Sequence, residues 1–287
     1  MIGDMQKWTP NVAGIIEHAR EIHPKTEIIS RLVSGEIHRS NYEKVCIRSR
    51  KLASALEKDG VKKGDVVATL ALNTYRHLEM YYGISGMGAI THTLNFRLHP
   101  EQAVYIINHA EDKIIFVELP FVPILEALQE NLKTVEKYVV LCEVDEMPET
   151  TLNNAISYEE YIQDGDENYS WPTLEDDAAC ALCYTSGTTG NPKGVLYSHK
   201  SNVIHAQAAL TAMTIKPDDT ILMVVPLFHV LAWGIPYFGP MNGLKLVMPG
   251  MQMEGEPLFE LIDKEDVTLA FGVPTIWMGL LAYCRDN

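Results

Sequence analysis

Apolar and polar positions follow two rhythms along this chain, and the rhythms take turns. Short apolar runs read as buried strands. Between them lie stretches whose apolar positions recur every three to four residues, which read as amphipathic helices. Residues 41–58 place Tyr42, Val45, Cys46, Ser49, Leu52, Ala53 and Leu56 on one helical face, with Gly60 available to end it. The pattern then predicts a strand at 65–72, a helix at 75–87 and a strand at 89–94. Pro100 opens a helix through His109, because a missing N–H costs nothing in a first turn. A strand at 113–118, a helix at 121–132 and a strand at 137–142 follow. Earlier, 26–33 and 36–40 flank Ser34-Gly35 and read as a hairpin. Residues 145–171 read as a polar connector carrying one short helix, capped by Ser157 with Glu160 three residues on.

Past residue 190 the rhythm resumes. It predicts a helix at 199–213, a strand at 220–225, a helix from about 228 to 239 and a strand at 244–248. A helix near 256–264, a strand at 267–271 and a helix at 275–285 complete it. Strands alternating with helices predict an α/β fold, a parallel sheet with helices on its faces.

Composition narrows the function. Of 287 residues, 47% are hydrophobic, as in an ordinary globular protein, and acids outnumber bases 38 to 23 for a net charge of −15. Such a chain has no overall field for nucleic acid or an anionic membrane. Residues 1–10 lack the apolar core of a secretory leader, and no apolar run is long enough to span a bilayer. The five cysteines, at 46, 142, 180, 183 and 284, form no dense framework. They predict reduced thiols and a cytoplasmic protein. Cys180 and Cys183 make a CxxC, but they sit in an apolar run and read as core residues rather than metal or redox ligands.

The most informative stretch is Tyr184-Thr-Ser-Gly-Thr-Thr-Gly-Asn-Pro-Lys-Gly194. An apolar strand feeds it and another follows it. Thr185, Ser186, Thr188 and Thr189 offer hydroxyls that donate to phosphate oxygens without adding repulsive charge. Gly187, Gly190 and Gly194 let backbone amides approach an anion. Lys193 supplies a compact positive charge, and Pro192 stiffens the turn that carries it. The spacing differs from the GxxxxGK[ST] loop, which opens a helix. The alternative is a Gly/Thr-rich hairpin turn with no ligand.

A second stretch, Val225-Pro-Leu-Phe-His-Val-Leu-Ala-Trp-Gly234, places His229 and Trp233 on one face if a helix starts near Phe228. A histidine and a flat ring there could bracket a carboxylate and close an apolar tunnel. Core packing is the bland alternative.

The segment YTSGTTGNPKG resembles the signature of the acyl-adenylate-forming superfamily, which includes acyl-CoA synthetases, firefly luciferases and peptide-synthetase adenylation domains. PLFHVLAWG is similar to the version found in long-chain fatty acyl-CoA synthetases. Arg76-His-Leu-Glu79, Gly86-Met-Gly-Ala89, His92-Thr-Leu-Asn95, 106–112 and Gly272-Val-Pro-Thr275 look similar too, so the resemblance covers nearly the whole chain. It implies a layered α/β N-terminal domain of stacked sheets with helices between. Subdomains are expected at about 41–220, and at about 221–287 with part of 1–40. It implies activation of a fatty acid by Mg-ATP to an acyl-adenylate, then transfer to coenzyme A. Thr185 would sit at the magnesium, and Ser186–Gly190 (Ser186, Gly187, Thr188, Thr189, Gly190) with Lys193 at the β/γ-phosphates. His229 would lie beside the reacting carboxylate, next to Val230, with Trp233 as a gate. His92 and His109 read as structural.

The resemblance also implies elements that do not appear before Asn287: a YGxTE-type motif, an aspartate for the ribose and a C-terminal domain bearing a catalytic lysine. The chain therefore reads as the N-terminal part of such a ligase, C-terminal domain absent. Little turnover is expected of it alone, and exposed apolar surface could favour a homodimer. Two other readings stay open: a ligase for an aryl or short-chain acid, and a non-catalytic nucleotide-binding or assembly module.

Overall fold

The structure, a computed structural model, describes residue 4 and residues 8–185 and 191–287. Helix α1 (Val12–Ile22) precedes the hairpin β1 (Glu27–Arg31) and β2 (Ile37–Asn41). Then come α2 (Tyr42–Lys58), β3 (Val66–Leu70), α3 (Tyr75–Gly86), β4 (Ile90–Thr93), α4 (Pro100–Ala110) and β5 (Ile114–Val117). They are followed by α5 (Val122–Leu128), β6 (Lys137–Val140), β7 (Ala155–Ser157) and α6 (Tyr158–Gln163). The next group is β8 (Ala179–Thr185), β9 (Lys193–Ser198), α7 (His199–Ala212) and β10 (Thr220–Met223). Last are α8 (Ile235–Asn242), β11 (Lys245–Met248), α9 (Gly255–Lys264), β12 (Leu269–Phe271) and α10 (Pro274–Asp286).

The strands form two sheets, ordered β7-β6-β5-β3-β4-β8-β9 and β12-β10-β11-β1-β2. Each is parallel except for an antiparallel hairpin at one edge, β8–β9 in the first and β1–β2 in the second. The expected α/β architecture is present. Strand periodicity explains the layering. In β5, Ile114 and Phe116 face α2 and α6, while Ile115 and Val117 face α4 and α5. Between the sheets, α1, α3, α7 and α8 share one core with Ile28, Ile221 and Leu246 of one sheet and Cys180 and Cys183 of the other. Helices α9 and α10 cover the outer face of the smaller sheet.

Local chemistry sets the ends. Asn41 Oδ1 accepts the Lys44 amide at 2.9 Å and starts α2. Ser157 Oγ accepts the Glu160 amide at 3.3 Å and starts α6, without the return bond from the Glu160 carboxylate that a capping box would add. The helix expected over 121–132 is shorter, flanked by 3₁₀ turns at Leu119–Phe121 and Gln129–Asn131. Strand β7 lies inside the stretch read as a connector.

A buried histidine braces the junction of β3 and α3. His77 Nδ1 donates to the Leu72 carbonyl at 3.0 Å, so its Nε2 accepts from the Thr69 hydroxyl, also at 3.0 Å. Burial holds its pKa down at about 4. An unfolded histidine titrates near 6.5. Between those values the unfolded chain takes up a proton that the folded chain refuses, so falling pH costs stability there. Urea denaturation of wild type and His77→Gln checks the sign. The wild-type advantage should shrink by about 2 kcal/mol from pH 7 to pH 5, and a constant difference would refute the assignment.

Candidate active site

The stretch 184–194, expected from its sequence to cradle phosphate and hereafter the phosphate-loop segment, leaves from β8 and returns on β9. Tyr184 pairs with Gly194, and Thr185 with Lys193. A Cβ at Gly194 would come within 3.0 Å of Leu182 and 3.2 Å of the Tyr184 ring, so glycine lets that ring lie across the ladder. The Thr185 hydroxyl reaches toward the Lys193 carbonyl at 3.4 Å, and both side chains are exposed. Ser186, Gly187, Thr188, Thr189 and Gly190 lie outside the described residues. Tyr184 meets His109 Nδ1 at 2.6 Å, and burial pushes its phenol up to about 12, so it stays protonated at neutral pH.

The second sheet contributes the segment that leaves β10. Its backbone is gripped from the larger sheet's side. Asn73 Nδ2 donates to the carbonyls of Met223 at 2.6 Å and Val225 at 2.9 Å, and its Oδ1 accepts the Leu227 amide at 2.8 Å. Tyr81 donates to the Leu227 carbonyl, and Thr93 to the Phe228 carbonyl at 3.2 Å. These three side chains fix the chain just ahead of His229.

The expected helix from 228 does not form. Val230, Leu231, Ala232 and Trp233 all take positive φ, between 43° and 56°, and the right-handed helix α8 starts only at Ile235. Successive left-handed turns are costly for L-residues, so this segment is strained and held by its surroundings. Gly234, at φ +83°, ends it, and a Cβ there would strike the His205 ring at 2.6 Å. His229 and Trp233 therefore do not share an α-helical face. They stand at opposite ends of a left-handed turn, both exposed.

Two cavities meet at this turn. One, of about 230 Å³, is lined by Thr93, Cys183, Tyr184, Thr185, Pro192 and Val230, among others. The other, of about 290 Å³, is lined by Arg97, Val224, Trp233, Met253 and Ile276, among others. Asn95, Phe228 and His229 belong to both walls. The fold thus brings Thr185, His229 and Val230 around one space and His229 with Trp233 around the next. Lys193 lines neither, although its neighbour Pro192 does.

The remaining candidates sort by burial. His92 is fully buried against Asp112, with Nδ1 2.8 Å from a carboxylate oxygen. His109 is exposed and holds Tyr184. Cys180 is buried with its thiol pushed up to about 12, and Cys183 is buried with its pKa raised by burial. Neither is an activated thiol. Magnesium bound to a nucleotide takes most of its ligands from phosphate and water and asks a protein for one or two oxygens. The exposed Thr185 hydroxyl suits one such place. No described helix is long and apolar enough to cross a membrane.

Sequence reading gave no site role to Asn73, Thr93, Asn95 and Arg97, although Thr93 and Asn95 lie in the segment His92-Thr-Leu-Asn95 quoted above. The one available signal for Asn73 was an amide closing the apolar run 65–72.

Comparison with known proteins gives a consistent result. Residues 16–287 match the family model described as AMP-binding enzyme. The chain is 46% identical to a medium-chain-fatty-acid–CoA ligase of Ectopseudomonas oleovorans, over 100% of this chain and 53% of that protein. It is 44% identical to a 3-methylmercaptopropionyl-CoA ligase of Ruegeria lacuscaerulensis, over 99% of this chain and 53% of the relative. It is 42% identical to a long-chain-fatty-acid–CoA ligase of Thermus thermophilus, over 96% and 50%. Among solved structures, a long-chain-fatty-acid-CoA ligase from Archaeoglobus fulgidus superposes with a TM-score of 0.85 at 24% identity, covering 100% of this chain and 56% of that one. That likeness speaks to the fold alone. The chain spans about half the length of the relatives it matches.

The Asn73 clamp can be weighed directly. Asn73→Ala removes three buried hydrogen bonds, and should cost about 3 kcal/mol in urea denaturation. A loss under about 1 kcal/mol would mean that the clamp does not hold the segment before His229.

Proposed function

The chain belongs to the family of AMP-binding enzymes, and on that premise we propose that it forms the nucleotide- and acid-binding part of a fatty acid–CoA ligase. In the first half-reaction a carboxylate oxygen attacks the α-phosphorus of ATP. The bond from that phosphorus to the bridging oxygen breaks, and pyrophosphate leaves. In the second, the coenzyme A thiol attacks the acyl carbonyl, AMP departs, and the thiol proton passes to solvent or phosphate.

The observation that carries this reading is the shared wall. One cavity touches Thr185 at the base of the phosphate-loop segment, the next has an apolar lining, and His229 faces both. A carboxylate at that wall would have its alkyl chain beside Trp233 and Met253 and its oxygens toward the nucleotide side. Holding two anions in line is slow work in water. Hydroxyls, amides and the Lys193 ammonium would neutralise charge and fix the geometry there. Magnesium, bound with the nucleotide, would supply further neutralisation, and Thr185 is the oxygen this chain offers it. His229 would orient the carboxylate. Five free cysteines suit a reducing compartment, and we place the enzyme in the cytoplasm.

One observation favours a second reading on the same chemistry. A relative at 44% identity is named for the 3-methylmercaptopropionyl group, so a short acid is the alternative to a medium- or long-chain one.

Thermal shift with Mg-ATP tests the nucleotide half. The melting temperature should rise with ATP, and Lys193→Ala should weaken ATP about tenfold or more, as expected for losing a charged hydrogen bond. Thr185→Ala should weaken it less. A melting temperature indifferent to ATP would overturn the reading. Trapping of the activated acid by hydroxylamine, across acids of graded length, separates the fatty from the short-acid form.

A further inference from the structure

Thr93 is the last residue of β4, 3% exposed, and its hydroxyl stands between the two halves of the site. Its Oγ1 is 3.2 Å from the Phe228 carbonyl and 3.3 Å from Cys183 Sγ. The carbonyl can only accept, so the hydroxyl proton goes there. The oxygen's lone pairs are then free for the Cys183 S–H. Cys183 lies two residues before Thr185, on the strand that enters the phosphate loop. Phe228 immediately precedes His229. The backbone amides of Val230 and Leu231, the first residues of the left-handed turn, also act on the Cys183 sulfur and temper the rise in its pKa that burial causes. A continuous polar chain thus runs from β8 through Thr93 to the turn that carries His229 and Trp233.

We propose that Thr93 is a positioning residue: its hydroxyl registers the His229–Trp233 turn against the strand that bears Thr185. The need for such a joint comes from strain. A run of non-glycine residues at positive φ persists only where its surroundings over-determine it. Asn73 and Tyr81 hold the chain up to Leu227, and His205 Nε2 lies 3.3 Å from the Trp233 carbonyl at the far end. Thr93 holds the residue next to His229, and of these contacts it is the one tied also to the phosphate-loop strand. Its effect on acid activation rests on the ligase reading above, whereas its hold on the turn does not.

Thr93→Val keeps the branched shape suited to a strand and removes only the hydroxyl. Thr93→Ser keeps the hydroxyl. NMR of the His229 ring and the Trp233 indole, assigned through His229→Gln and Trp233→Phe, reads the turn without any ligand. Thr93→Val should displace both sets of resonances, and Thr93→Ser should return them to the wild-type positions. Resonances unmoved in Thr93→Val, or displaced equally in Thr93→Ser, would overturn the proposal. Should Thr93→Val fail to fold, Cys183→Ala reads the joint from the other side. The Val230 and Leu231 amide signals must then move, and unchanged signals would count against it. In the adenylation assay the KM for the acid should rise about fivefold in Thr93→Val with that for ATP unchanged, the mark of a displaced acid wall. Absence of adenylation in wild type, of which little turnover is expected alone, would leave the ligase reading to the ATP-dependent thermal shift, and the ligand-free spectra would still decide the role of Thr93.

Discussion

Two sheets that share no strand are locked together where three side chains, Asn73 after β3, Tyr81 of α3 and Thr93 of β4, grip the backbone leaving β10. Asn73 makes three hydrogen bonds to residues 223–227, Tyr81 holds the Leu227 carbonyl, and Thr93 holds that of Phe228. All the donors and acceptors concerned are buried, where an unmade hydrogen bond is expensive. The sheets therefore cannot slide past each other without breaking these contacts together. That constraint lets residues more than forty positions apart in sequence, Thr185 and His229, line one cavity.

The site inherits its character from what each sheet brings. The larger sheet ends in an antiparallel hairpin rather than a strand–helix turn, so among the described residues no helix opens directly from the phosphate-loop segment. Under the proposed function, anion binding there would rest on hydroxyls, backbone amides and Lys193. The smaller sheet brings an apolar cavity and a strained turn. The strain fits a segment that must present His229 at one end and an exposed indole at the other, a geometry no ordinary α-helix offers at that spacing.

Much of the fold was legible because strand and helix periods differ sharply. The alternation in Ile114–Val117, the stripe along α2 and the hairpin at Ser34-Gly35 each follow from local side-chain pattern. Helix α1 carries its own stripe, Val12, Ile15, Ile16 and Ala19, which was present in the sequence and passed over. The turn at 230–233 was not legible. Val, Leu, Ala and Trp carry no local preference for positive φ, and only tertiary contacts impose it. The same holds for Asn73 and Thr93. A polar residue beside a strand says nothing of which carbonyl it will meet across a sheet boundary. The candidate site was read through its exposed chemistry, while the residues that align it are buried and silent in sequence.

The central claim is that the cavity beside the phosphate-loop segment and the apolar cavity beside Trp233 act as one site. Calorimetry with a non-hydrolysable acyl-sulfamoyl adenosine tests it most directly, against the same nucleoside without its acyl group. The account predicts that the acyl chain adds affinity, at about 0.8 kcal/mol per buried methylene while the apolar cavity fills, and that Val273→Trp, at a residue lining that cavity, abolishes the gain. Equal affinities for the two compounds, or a gain untouched by Val273→Trp, would contradict it.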